Sequence, residues 1–415
     1  MKNIDEMLER LYGEKAVPAQ NARYSGAERT FYQFFGSAQE PMIFSASGRT
    51  EIGGNHTDHN RGKVLAASVD LDIVAFVVPS DDGVITVKSD GFPKDSVDTS
   101  DLSVHNEEKN SSAALIRGVA DGFKQNGLNI GGFRAYTISN VLKGSGLSSS
   151  AAFEVLIGTI LSHLYNDGNV NMVKIAQIAQ YAENVHFGKP SGLMDQMASA
   201  VGGFIEIDFA DPKNPVISEI SCDLSASGYS LCIVDTKGDH ADLTPEYAAI
   251  PEEMKSVAKF LGKSELRDVT REQLWQNIAA VRTSCGDRAV SRALHFFDEN
   301  DRVDREAEAL SNGEFDGFLK AVSESGNSSF KYLQNIFATV DPKQQAMVLG
   351  LYAAESVLKG RGACRVHGGG FAGTIQAFVP NDLLGEFTAK MEELFGAGSC
   401  YNLYIRPIGG CAVSK

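Results

Sequence analysis

Arg49 and Asp58 lie in a polar run studded with glycine, Ser47-Gly48-Arg49-Thr50-Glu51-Ile52-Gly53-Gly54-Asn55-His56-Thr57-Asp58-His59-Asn60. Carboxylates accept sugar hydroxyls and arginine donates in a fixed fork, so this set suits a polyol site. A second segment, Gly144-Ser145-Gly146-Leu147-Ser148-Ser149-Ser150, joins an expected strand to an expected helix. Glycines let backbone approach a phosphate closely, and a helix N-terminus offers free N–H groups and partial positive charge. Serine hydroxyls add hydrogen bonds and a possible Mg²⁺ ligand. A third run, Tyr181 to Gln196, puts Glu183 in a helix ending near Gly188; Pro190 and Gly192 then force a turn that presents Asp195. The fourth, Val366-His367-Gly368-Gly369-Gly370-Phe371, has three consecutive glycines, which are costly to order for a structural turn alone.

Each run has rival readings. The glycine-serine loop lacks the Gly-Lys-Ser/Thr ending of a Walker A loop, and Ser149 stands where a dinucleotide fingerprint needs a third Gly or Ala. Without a phosphate it reads as a helix cap with a tight turn. His56, Asp58 and His59 could ligate zinc, but no further His or Cys cluster supports them. Glu183 and His186 have the spacing of a di-iron helix pair, and the second copy such a site requires is missing. An Asp in a turn, as at Asp195, is by itself more often a cap than a catalyst.

The elements that must position these residues follow from pattern. The first twenty or so residues look helical. Val64 to Pro79 is rich in β-branched residues and predicts a strand, as does Phe133 to Ile138. Ser148 to Leu164 and Val173 to His186 predict helices, the second with Ile175, Ile178, Ala179 and Ala182 on one face. The second half predicts a strand at Tyr229–Asp235, a long helical stretch from Pro251 to Ala338, then the glycine run and another strand. Such alternation suggests two α+β layers with ligands in the crevice between them.

At 415 residues the chain is too long for one ordinary core, so two domains are expected, with a boundary near residue 207. A net charge of −15 gives no footprint for nucleic acid or an anionic membrane. No apolar run of about 18 residues predicts a membrane span. The six cysteines form no CxxC and read as reduced thiols of a cytoplasmic protein.

Taken together, the runs resemble the GHMP kinases, and within them the galactokinase family. Gly-x-Gly-Leu-Ser-Ser-Ser-Ala resembles that family's phosphate-binding motif. The Arg49 run resembles its signature G-R-V-N-L-I-G-E-H-T-D-Y-N, retaining Arg49, Gly54, His56, Thr57, Asp58 and Asn60. Glu183 through Asp195-Gln196 resembles its third landmark, ending in M-D-Q. The glycine run resembles G-G-G-F-G-G-C-T. The resemblance implies an α+β, two-lobed fold: a ribosomal-protein-S5-like lobe (residues 1–207) and a ferredoxin-like lobe (208–415), with the active site between them. It implies transfer of phosphate from ATP to the anomeric hydroxyl of galactose or a close relative, giving a sugar 1-phosphate.

By the same resemblance, residues Gly144, Ser145, Gly146, Leu147, Ser148, Ser149 and Ser150 wrap the ATP phosphates, with Gly369 and Gly370 closing the site. Ser150 and Glu183 hold Mg²⁺. Asn55, His56, Asp58, Gly192 and Tyr247 face the sugar. Asp195 takes the hydroxyl proton, and Arg49 lies near the transferring phosphoryl, close enough to favour ionised Asp195. The expected partners are a small sugar and ATP, the expected state a monomer or weak homo-oligomer.

The departures from the pattern carry expectations too. The family's Glu before His is Asn55, which removes a negative charge where the sugar's C6 end is expected. A ring carboxylate would then meet less repulsion, which raises a uronic acid 1-kinase as the alternative. The family's base-stacking Trp is Ser112, and its late S-H-x-S-L lacks the His at Ser325–Ser329. A sugar sensor without turnover is the non-enzymatic alternative.

Overall fold

The computed structural model describes residues 4–36, 38–141, 147–238, 243–371 and 373–414. The amphipathic start forms α1 (Asp5–Tyr12) and α2 (Val17–Phe35). Next come β1 (Met42–Gly53), β2 (Lys63–Ser80), β3 (Val84–Ser89) and β4 (Lys94–Asp98). After α3 (Ser112–Gln125) and β5 (Gly132–Ser139), three helices follow: α4 (Ser149–Tyr165), α5 (Met172–Tyr181) and α6 (Met194–Val201). β6 (Phe204–Asp208) and β7 (Val216–Ile220) complete the first half.

The β-branched run became the backbone of the larger sheet, ordered β1-β2-β5-β3-β4. On the edge away from β1, β2 serves two partners: residues 73–80 pair with β5, residues 63–67 with β6. Its pairing with β1 shifts register between Ser47 and Arg49. Gly48 sits in that irregularity, where a Cβ would stand 3.0 Å from the carbonyl of Leu147. The Arg49 amide donates to the same carbonyl at 3.2 Å. The end of the glycine-serine run is thus clamped onto β1.

The second half begins with β8 (Tyr229–Asp235) and a helical block: α7 (Thr244–Phe260), α8 (Arg271–Cys285), α9 (Asp287–Ser311) and α10 (Phe315–Ser328). Then come α11 (Ala346–Leu358), β9 (Ala363–Val366), β10 (Thr374–Pro380), α12 (Leu384–Phe395) and β11 (Cys400–Leu403). The smaller sheet has the order β11-β8-β10-β9, all antiparallel, which is the ferredoxin-like arrangement. A last strand, β12 (Cys411–Ser414), returns to the larger sheet beside β1. Residue 207 falls inside β6, so the larger sheet draws on both sides of that position. One apolar core runs through both, from Phe44 and Leu156 to Leu231, Phe318 and Phe378.

The helix expected from Val173 to His186 is regular only to Tyr181. Ala182–Phe187 forms a wider π turn. Its neighbour α3 explains the close fit: a Cβ on Gly118 would lie 2.7 Å from the Ala182 Cα. Such bulges re-aim side chains and cluster at functional sites. Here the re-aimed residue is Glu183.

Asp72 on β2 ties the N-terminal helices to the far end of the chain. Its buried carboxylate meets Arg23 at 2.7 Å and Arg406 at 3.0 Å, and accepts from Tyr12 and Ser45. Asp72→Asn strands two guanidinium groups away from bulk water. Urea unfolding should show a loss of about 3–5 kcal/mol; a loss below about 1 kcal/mol would assign the anchoring elsewhere.

Candidate active site

Two helix ends and one strand converge at the site. β1 supplies Arg49, α6 supplies Asp195 in its first turn, and α4 with the π turn supplies Ser150 and Glu183. Arg49 Nε donates to Asp195 Oδ1 at 2.7 Å, and Arg49 Nη2 lies 2.7 Å from Oδ2. This is a bidentate fork, the strong and orienting form of the pair. Burial alone would raise the Asp195 carboxyl, but the Arg49 charge and hydrogen bond outweigh it. Ser148 adds a further hydrogen bond, and the carboxyl is held below its ordinary range. Ser148 itself has φ 56°, a left-handed conformation that a non-glycine residue adopts at a cost. The strain sits where α4 begins, one residue before its first turn.

Ser150 Oγ donates to Glu183 Oε1 at 3.0 Å, and Lys189 Nζ reaches the same oxygen at 3.1 Å. Gln196 Nε2 holds the other oxygen, Oε2, at 2.8 Å, and stands 3.2 Å from Glu154 Oε2. Glu154 is fully buried, and burial followed by the Glu183 charge pushes its carboxyl well up. A hydroxyl and a carboxylate on converging helices are hard oxygen donors. They fit Mg²⁺, which takes one or two protein oxygens and completes its shell with phosphate and water.

The sugar loop follows β1. A Cβ on Gly192 would collide with Asp58 Oδ2, so glycine there is what lets Asp58 approach the turn before Asp195. His56 Nε2 bonds the Gly369 carbonyl at 2.9 Å, and burial lowers its pKa to about 4, leaving a neutral ring. Tyr247 Oη donates to the Gly370 carbonyl at 2.9 Å. Its ring explains a second glycine, since a Cβ on Gly369 would come within 2.6 Å of it. Among the described residues, Gly369 and Gly370 meet His56, Tyr247 and Asn335. Gly144, Ser145 and Gly146 lie outside the described residues; Leu147 and Ser149 are in place beside Ser148 and Ser150.

Asn55 requires a correction. It was expected to face the sugar, yet it is fully buried. Its Nδ2 donates to Glu51 Oε1 at 2.9 Å and to the Gly368 carbonyl at 2.7 Å. Its Oδ1 accepts from Asn335 and Ser329. Every side-chain group is saturated by protein, so none is left for a ligand. The signature G-R-V-N-L-I-G-E-H shows why. Its Asn falls at Glu51 and its Glu at Asn55, so the two residue types have exchanged places and now bond each other. The carboxyl has moved four residues: Arg365 Nη2 meets it at 2.9 Å, and burial, outweighing Arg365 and Arg49, raises it to about 7.

Sequence reasoning missed the floor under this loop. Glu299 on α9 accepts the Gly54 amide at 3.1 Å and is held at about 2, where burial is outweighed by His295, Arg302 and Arg365. His295 bridges Ser328 Oγ and the Asn55 carbonyl, so a histidine from the neighbouring helix supports the serine segment that lacks one of its own. Ser112 opens α3 and donates to Asp95, leaving no aromatic face at that position.

Comparison with known proteins agrees with this geometry. The profile described as "GHMP kinases N terminal domain" matches residues 114–203, and "Galactokinase galactose-binding signature" matches residues 29–79. A galactokinase of Streptomyces coelicolor is 30% identical over 369 residues, covering 88% of this chain and 92% of that protein. The chain belongs to the galactokinase family. The fold is that of Lactococcus lactis galactokinase, solved with galactose: TM-score 0.79, 24% identity, 94% of this chain and 99% of that one. Methanococcus jannaschii mevalonate kinase shares it more distantly, with TM-score 0.62 and 13% identity over 89% of this chain and 99% of that one. The protein is a kinase, a phosphotransferase acting on a sugar hydroxyl at the expense of ATP.

Asn55→Glu would place a second carboxylate against Glu51 and lower stability by about 3 kcal/mol. The double change Glu51→Asn with Asn55→Glu restores the complementary pair and should recover most of that loss in a double-mutant cycle by urea unfolding. Additive losses would refute the exchange.

Proposed function

We propose that this kinase phosphorylates the anomeric hydroxyl of galactose, giving the sugar 1-phosphate. The observation that carries the reading is the bidentate Arg49–Asp195 pair at the meeting of sugar loop and phosphate helix. Phosphoryl transfer needs alignment and charge compensation more than covalent chemistry. An ionised Asp195, side chain 26% exposed, orients the hydroxyl and takes its proton late. Arg49 keeps that carboxylate charged and adds positive charge near the transferring phosphoryl. Asp58, aimed by Gly192, and Tyr247, at the glycine run, fix which hydroxyl faces the nucleotide. Ser150 and Glu183 would hold Mg²⁺, which supplies charge neutralisation across the phosphates when bound.

The exchange of Glu51 and Asn55 keeps one carboxyl in the loop, held between Asn55 and Arg365. Asn55, saturated by protein partners, offers nothing to a ring carboxylate, so the motive it gave for a uronic acid substrate is weakened. With Arg49, Ser150, Glu183 and Asp195 brought together, turnover is favoured over silent sensing. No helix among the described residues is long and apolar enough to cross a membrane. A cytoplasmic setting, where ATP is made available and the six free cysteines stay reduced, suits the reading; the chain would act as a monomer or weak homo-oligomer.

ADP release with ATP and Mg²⁺, measured across galactose, galacturonate, glucuronate, arabinose, glucose and N-acetylgalactosamine, tests it. Galactose should lead. Asp195→Asn should lower kcat at least about a hundredfold while sugar binding persists. A uronic acid in the lead, or undiminished turnover in Asp195→Asn, would overturn the assignment.

A further inference from the structure

Lys189 belongs to no role described so far. It lies between Gly188, at φ 87°, and Pro190, in the short connection that leads to Gly192. Its backbone is fixed, since its amide donates to the Glu183 carbonyl at 3.1 Å. Its side chain is 59% exposed and reaches inward to Glu183 Oε1, whose own side chain is only 2% exposed. A buried carboxylate left uncompensated is costly, so something positive must stand there when the site holds no metal. Ser150 Oγ converges on the same oxygen, and Gln196 pins the other one. Glu183 therefore presents a single oxygen, Oε1, to whichever cation is present. An ammonium and a divalent ion within about 4 Å of each other repel, so the two cannot share it.

We propose that Lys189 is the resident counter-ion of Glu183 in the metal-free protein, and that a divalent cation arriving with the nucleotide displaces it onto the phosphate oxygens. The inference rests on the assignment of Ser150 and Glu183 as the cation site. The exchange keeps Glu183 neutralised throughout. It also delivers a flexible cation to the polyphosphate when its charge must be balanced. A long exposed stem on a fixed backbone is suited to that swing, because moving it breaks no packing.

The test uses Mn²⁺ alone, titrated into the full-length, nucleotide-free protein and followed by water-proton relaxation. Lys189→Met removes the competitor and should tighten Mn²⁺ binding about tenfold. The same variant should lower kcat about tenfold at saturating nucleotide, and Lys189→Arg should restore most of it. Unchanged or weaker Mn²⁺ binding in Lys189→Met would overturn the proposal. Glu183→Gln separates the two failures. If it abolishes Mn²⁺ binding while Lys189→Met changes nothing, only the role of Lys189 falls. If it leaves Mn²⁺ binding intact, the cation site itself is misplaced, and the proposal falls with it.

Discussion

The structure depends on one contact, the forked pair between Arg49 and Asp195. It joins a strand near the start of the chain to a helix well along the first lobe, beside the start of the helix that follows the glycine-serine run. The pair does two things at once. It fixes the carboxylate in orientation, through two parallel hydrogen bonds, and in charge, because the guanidinium overcomes the burial that would protonate it. The rest of the fold can be understood as the means of keeping this pair in place. The register shift at Gly48 sets Arg49, the Leu147 carbonyl holds its amide, and Gly192 gives Asp58 room beside the turn that carries Asp195.

Around the pair, charge is compensated in layers. Glu183 meets Ser150, Lys189 and Gln196. Glu51 meets Asn55 and Arg365, and Glu299 meets Arg302 and the backbone of the sugar loop. In a chain of net charge −15, each of these buried carboxyl groups thereby meets a cation or a hydrogen-bond donor.

Much of this was legible in the sequence because it is local. The β-branched run specified the central strand, and the apolar face of Ile175, Ile178 and Ala179 specified its helix. Motif order placed Arg49, Ser150, Glu183 and Asp195, and the fold brings them together. What was not legible comes from distance. Asn55 looked like a lost charge, because its partners Ser329, Asn335 and Gly368 lie hundreds of positions away. Its fourth partner, Glu51, was visible four residues upstream, and the motif already showed the exchange. The π turn was illegible for a different reason: it depends on how closely Gly118 of another helix approaches, which no periodicity encodes.

The pH dependence of kcat/KM in the wild type and in Arg49→Met tests the central claim most directly. Nucleotide and metal titrate alike in both, so the comparison isolates the enzyme. Without the guanidinium, burial governs the Asp195 carboxyl and raises its pKa. Activity should then be lost on acidification at a higher pH, by about one unit or more. An acid limb that falls at the same pH in both proteins would contradict the account, because Asp195 would owe its ionised state to something other than Arg49.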